Sequence, residues 1–249
     1  MTKPLLLLNA GEASERMLRR HGDIPAWFLA VPGIADADLQ IIDIFRGEAL
    51  PDPAEARGAI ITGSPAMVSH RAPWSEWAAA WIRDAMAIDL PLFGVCFGHQ
   101  LITHALGGRI GPNPNGREIG NQRIEMRGNA SDDPLSKLLP PSFRAMVCHL
   151  ETVLEPAPGT ASLASSERDA HQIIRYGQNA LSVQFHPEIT PGIMATFIDD
   201  YDAGLRSEGL DPARLKVGLA PAEEAMALLS GFVRAVSRDE GGQDASERR

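Results

Sequence analysis

Short apolar runs recur along the chain, separated by stretches in which apolar residues return every three or four positions. Runs of the first kind suit buried strands and those of the second suit helices packed on a sheet. The pattern predicts strands over residues 4–9, 39–45, 58–62, 91–95, 122–126, 143–148, 171–176 and 180–185. The clearest helix is predicted over 74–88, opened by Pro73, which has no N–H to lose in a first turn. Trp74, Trp77, Trp81 and Ile88 recur on one side of it and are expected to face the core. A second helix is predicted over 97–106, stopping at Gly107-Gly108, and two more near 192–206 and 221–236. Residues 111–120, GPNPNGREIG, are dense in turn formers and are expected to be a loop.

This alternation of strand and helix points to an α/β fold, three-layered, with a mostly parallel sheet and helices on both faces. No repeat and no long linker divides the chain. One domain over 1–237 is expected, with 191–237 as a helical C-terminal extension. The charged end, SRDEGGQDASERR, lacks an apolar pattern, and 238–249 is expected to be a disordered tail.

Composition narrows the function classes. Of 249 residues 44% are hydrophobic and 22% charged, as in ordinary soluble domains. A net charge of −9 argues against a nucleic-acid backbone or an anionic membrane as the main partner. Two cysteines, Cys96 and Cys148, are too few for a disulfide framework and suit a reducing cytoplasm. The run PLLLLNAG is too short for a signal-peptide core or a membrane span and reads as a first buried strand. Without a sign of secretion, the sequon Asn129-Ala130-Ser131 carries no weight.

The chemistry concentrates in GVCFGHQ, residues 94–100. Cys96 falls where the predicted strand over 91–95 turns into a helix, in the pattern Gly94-x-Cys96-x-Gly98. That is the thiol form of a nucleophile elbow, where small neighbours let a strained turn present the reactive atom. The helix N-terminus favours negative charge on the sulfur. A buried structural cysteine beside two glycines is the competing interpretation. A nucleophile also needs a base and a group that orients the base. The best candidate is LSVQFHPEI, 181–189, where alternating apolar residues end a strand at His186, and Glu188 follows two positions later. Taken alone, His-Pro-Glu also describes a turn with a surface ion pair.

GVCFGHQ together with VQFHPE resembles the class I glutamine amidotransferases, closest to the glutaminase domain of GMP synthetase. The resemblance runs from the first strand to about Glu188 and includes ITGSPAMV, CHLETV and the segment leading into VQFHPE. It implies a flavodoxin-like fold and a Cys96–His186–Glu188 triad that hydrolyses a γ-amide through a thioester. It further implies an oxyanion site at the backbone N–H groups near Ser64 and Phe97, and contact between Gln100 and bound glutamine. Two departures stand out. Ser64 replaces a glycine of the oxyanion loop, and His149-Leu150-Glu151 stands where the family often has His-Gly-Asp.

Rival chemistry is weaker. Cys96 and His99 have a metal-like spacing, but no second ligand pair follows, so no metal is expected. No nucleotide-binding motif occurs, and no cofactor is expected. His21, His70 and His171 have no partners evident in the sequence, His104 reads as a packed or surface histidine, and Cys148 as inert core. Three functions stay open: a free-standing hydrolase of γ-glutamyl compounds, a glutaminase subunit feeding a separate synthetase, and a non-catalytic relative that binds a ligand on the same fold.

Overall fold

The computed structural model describes residues 3–35, 37–128, 130 and 133–243. Asn129 and Ser131 of the sequon lie outside the described residues, as does 244–249 of the expected tail. The chain opens with β1 (Leu5–Asn9), α1 (Glu15–His21), α2 (Ile24–Leu29) and β2 (Leu39–Asp43). β3 (Gly58–Ile61), α3 (Pro73–Ala87), β4 (Leu92–Val95) and α4 (Phe97–Ala105) follow. Seven strands come next: β5 (Arg109–Pro112), β6 (Glu118–Met126), β7 (Ser142–His149), β8 (Glu151–Glu155), β9 (Ala161–Ser165), β10 (Ile173–Tyr176) and β11 (Ala180–Val183). The helices α5 (Pro191–Asp200), α6 (Asp202–Ser207), α7 (Pro212–Val217) and α8 (Glu223–Gln243) close it.

Nine strands form one sheet in the order β2-β1-β3-β4-β11-β10-β9-β6-β7. From β2 to β11 the pairing is parallel. From β11 to β7 it is antiparallel. β5 and β8 pair in a separate two-stranded sheet.

The inner parallel strands β1, β3, β4 and β11 are buried on both faces, so their apolar runs are continuous rather than alternating, whereas the edge strand β2 is half exposed. Leu5 and Leu7 of β1 join a core with Trp27, Phe28, Ile193 and Phe232 from α2, α5 and α8. Leu6 and Leu8 point the other way, into a core with Ile82 and Leu101 from α3 and α4. The result is three layers. Registers such as Ile61↔Gly94 and Val183↔Val95 bring the C-terminal ends of β3, β4 and β11 level with one another. That edge is where open α/β sheets place their sites.

Several expectations need correction. The expected core side of α3 holds only in part: Trp81 is buried and Trp74 packs against the core, but Trp77 and Ile88 are exposed. Ala78, Ala79, Ile82 and Ala85 also pack inward, and the small residues let the helix lie close to its neighbour α4. The turn-rich segment over 111–120 contains the end of β5 and the start of β6, bent at Asn113, whose Oδ1 accepts the Asn115 N–H at 2.9 Å. The helix expected over 192–206 breaks between α5 and α6 at Tyr201, and α8 runs on to Gln243, into the expected tail. Among the described residues no helix is long and apolar enough to cross a membrane.

Candidate active site

Cys96 sits between β4 and α4 with φ 51° and ψ −99°, a left-handed conformation unusual for a residue with a Cβ. Its N–H donates to Val183 O at 2.8 Å, and the Gly98 N–H to Thr62 O at 3.2 Å, so neighbouring strands hold the turn. The flanking glycines are required by close approach. A Cβ on Gly94 would lie 2.7 Å from the Gly98 carbonyl, and one on Gly98 would collide with the backbone of Ile61. The first-turn N–H of Phe97 has no intrahelical acceptor and remains available beside the sulfur.

His186 follows β11, its backbone N–H donating to Met146 O at 2.7 Å. Its Nδ1 lies 2.7 Å from Glu188 Oε1, while Nε2 is buried with no partner among the described residues apart from the neighbouring Cys96 sulfur. Gly63, just beyond β3, lies between the two reactive residues: a Cβ there would be 3.0 Å from His186 Cε1 and 3.7 Å from Cys96 Cβ. Burial opposes charge on the His186 ring, but the Glu188 carboxylate and the Cys96 sulfur more than offset it and hold the pKa well above 6.5. Three adjacent strand ends thus bring Gly63-Ser64, Cys96 and His186 together, with Glu188 behind the imidazole.

The remaining expected residues lie around this centre. Ser64 Oγ donates to Ala10 O at 2.7 Å and accepts the Ala66 N–H at 3.0 Å, which turns the side chain away. Phe97 packs its ring on Trp74, centroids 5.3 Å apart. Gln100 is buried, and its Nε2 donates to Glu151 O at 2.8 Å and Gln184 Oε1 at 2.9 Å. His99, by contrast, points below the elbow to Ser182 Oγ at 2.7 Å, and burial lowers its pKa to about 3. It shares no ligand site with Cys96.

Two hollows meet at Cys96. The larger, about 170 Å³, has Cys96, His186 and Glu188 on one side and Ile24, Trp27, Phe197 and Tyr201 around it. The smaller, about 60 Å³, is lined by Phe97, Gln100, Arg117, His149 and Glu151. Cys148, expected to be inert core, lines both; enclosure and the nearby Cys96 sulfur push its thiol up to about 12.

Arg117 was not singled out by sequence reasoning. Its guanidinium forms a fork with Glu208, Nε to Oε2 at 2.9 Å and Nη2 to Oε1 at 3.0 Å. It also lies 5.1 Å from the centre of the Tyr201 ring, which in turn stacks on Phe197 at 6.2 Å. The one local signal was a basic residue beside a turn.

Behind the smaller hollow, His149 is buried between two acceptors, Nδ1 to Glu151 O at 2.9 Å and Nε2 to Glu118 Oε2 at 2.9 Å. A carbonyl and a carboxylate can only accept, so both ring nitrogens carry protons and the ring is an imidazolium. Burial opposes that charge, but Glu118 and Asp169 outweigh it and raise the pKa. Glu118, His149 and Asp169 have ligand atoms within 4.8 Å of one another. A metal ion would need a lone pair that this ring does not offer, and the group is better described as an ion-pair network.

The glutamine amidotransferase class-I family model matches residues 36–200, and the chain belongs to that family. It is 38% identical over 140 residues to a glutamine-hydrolyzing GMP synthase subunit of Ignicoccus hospitalis, covering 56% of this chain and 70% of the relative. It is 27% identical over 207 residues to gamma-glutamyl peptidase 4 of Arabidopsis thaliana, covering 81% and 82%. The crystal structure of a glutamine amidotransferase from Thermotoga maritima shares the fold, with a TM-score of 0.68 at 22% identity over 96% of this chain and 98% of that one.

Proposed function

We propose that this enzyme hydrolyses a γ-glutamyl amide bond with Cys96 as nucleophile, His186 as base and then acid, and Glu188 as the group that orients and charges the imidazole. The observation that carries this reading is the left-handed Cys96 turn facing a His186–Glu188 pair held at 2.7 Å. In acylation the sulfur bonds to the carbonyl carbon of the γ-amide, the C–N bond at that carbon breaks, and the thiol proton passes through His186 Nε2 to the departing amine. Water then attacks the thioester, returning its proton to the sulfur by the same route. The N–H groups of Ser64 and Phe97 receive the oxyanion. In the smaller hollow the opposite charges of Arg117 and Glu151 suit the carboxylate and ammonium of a glutamyl head. Gln100 acts there by fixing the Glu151 carbonyl.

The site belongs to one domain over 1–237, with 191–237 as its helical extension. The free thiols of Cys96 and Cys148 fit a reducing cytoplasm. Action without a partner is the preferred reading, since the larger hollow has room for more than ammonia. The second reading, a glutaminase feeding a separate synthetase, is favoured by the likeness to a GMP synthase subunit. A glutamine-like chloroketone tests the shared chemistry: peptide mapping should find the label on Cys96 and little on Cys148. Label mainly on Cys148, or on neither, overturns the assignment. Turnover of glutamine only with a second protein present would select the second reading.

A further inference from the structure

We infer that the larger hollow is a leaving-group site for γ-glutamyl amides whose amine carries an apolar body of benzene size and no carboxylate. The inference rests on the proposed hydrolysis and names its substrate class. His186, the group that must protonate the departing nitrogen, lines this hollow and not the smaller one. Apart from the neighbouring Cys96 sulfur, its Nε2 has no partner among the described residues.

Size excludes ammonia as the intended occupant. A molecule of that size takes roughly 30 Å³, whereas a cavity of about 150 Å³ lined by apolar side chains holds benzene. The hollow measures about 170 Å³. The side facing α2 and α5 is mostly apolar and held in place. Trp27 meets Phe197 edge-on at 5.9 Å, and Trp27 Nε1 already donates to His21 O at 3.1 Å, so the indole presents its ring rather than its N–H.

Charge decides which amines fit. Besides His186, the ionisable groups of the lining are the two cysteines, Tyr201 and the carboxylates Glu12, Asp200 and Glu188. The arginines paired with Glu12 and Asp200, Arg46 at 2.8 Å and Arg16 at 3.2 Å, do not line it. A carboxylate on the leaving amine would enter beside Glu12, Asp200 and Glu188, with no lining cation other than His186, which Glu188 already pairs. Part of the wall lies beyond the stretch that carries the triad. Glu12, Ala13, Ser14, Ile24, Trp27 and Tyr201 fall outside residues 36–200, the stretch matched by the family model, whereas Cys96, His186 and Glu188 fall within it.

The test is steady-state kinetics of the full chain on glutamine, γ-glutamyl-benzylamide and γ-glutamyl-phenylalanine. Burial of the ring predicts kcat/KM for the benzylamide about tenfold to a hundredfold above glutamine. The phenylalanine peptide, with the same ring and an added carboxylate, should fall at least about tenfold below the benzylamide. Trp27→Ala should collapse the benzylamide-to-glutamine ratio. Ala13→Phe, which adds a ring at a partly exposed wall position, should do the same if Trp27→Ala does not fold. Hydrolysis of glutamine with refusal of the benzylamide, or a preference for the phenylalanine peptide, overturns the inference and leaves the proposed chemistry standing. Failure of every γ-glutamyl compound to acylate Cys96 overturns the proposed chemistry itself.

Discussion

The two hollows that meet at Cys96 are built differently. The smaller holds Arg117 and Glu151, each tied elsewhere, Arg117 to Glu208 and Glu151 Oε2 to the Ser69 N–H at 3.2 Å. The larger is walled by rings and aliphatic groups from α2 and α5. Charged groups with fixed partners recognise one invariant chemical group; apolar walls select by shape and volume. The contrast divides a γ-glutamyl substrate at its scissile bond, with a constant half on one side and a variable half on the other.

The division is broken most severely at its seam. His186→Ala removes the proton carrier for both half-reactions and should lower kcat about 10²- to 10⁴-fold. Glu188→Gln keeps a hydrogen-bonding side chain behind the ring and should cost less. Near-wild-type rates for both variants on a verified substrate would remove the triad from the mechanism. On the constant side, Arg117→Met should raise KM about tenfold to a hundredfold for every γ-glutamyl substrate alike, the value of a charged hydrogen bond. A change in leaving-group preference instead would show that the hollows are not separate.

The smallest effect concerns support of the constant side. The His149 pKa is raised on folding, so its charge stabilises the fold fully below the unfolded value of 6.5 and less as pH rises through the folded value. His149→Gln should therefore lower stability by about 1–2 kcal/mol near pH 6. The gap to wild type should narrow as pH rises above 6.5. Thermal unfolding of both proteins across that range is the measurement, and a gap that widens with pH contradicts a charged His149.

What the sequence disclosed follows from how local each signal was. The strand ends carrying Gly63, Cys96 and His186 were legible because each is a short apolar run closed by a turn residue. Gly94 and Gly98 announced a tight approach that the backbone of Ile61 explains. The helix α2, only 6 residues long, offered too few turns for a period to emerge, yet with the turn over 12–14 it supplies one wall of the larger hollow. Arg117 was hidden for another reason: its partner Glu208 is 91 residues away. On α3 only Trp77 and Ile88 misled, because size and apolarity were taken for inwardness, whereas alanines fill much of the inward face.

The ring of Tyr201 lines both hollows, stacked on Phe197 on one side and facing the Arg117 guanidinium on the other. A leaving amine that settles against Phe197 therefore presses on the same aromatic stack that braces the glutamyl site. The binding energies of the two substrate halves should not add, and a double-mutant cycle between Phe197 and Arg117 should return a coupling energy well away from zero. Cooperativity of this kind would let the enzyme sense the amine before the amide bond is cut.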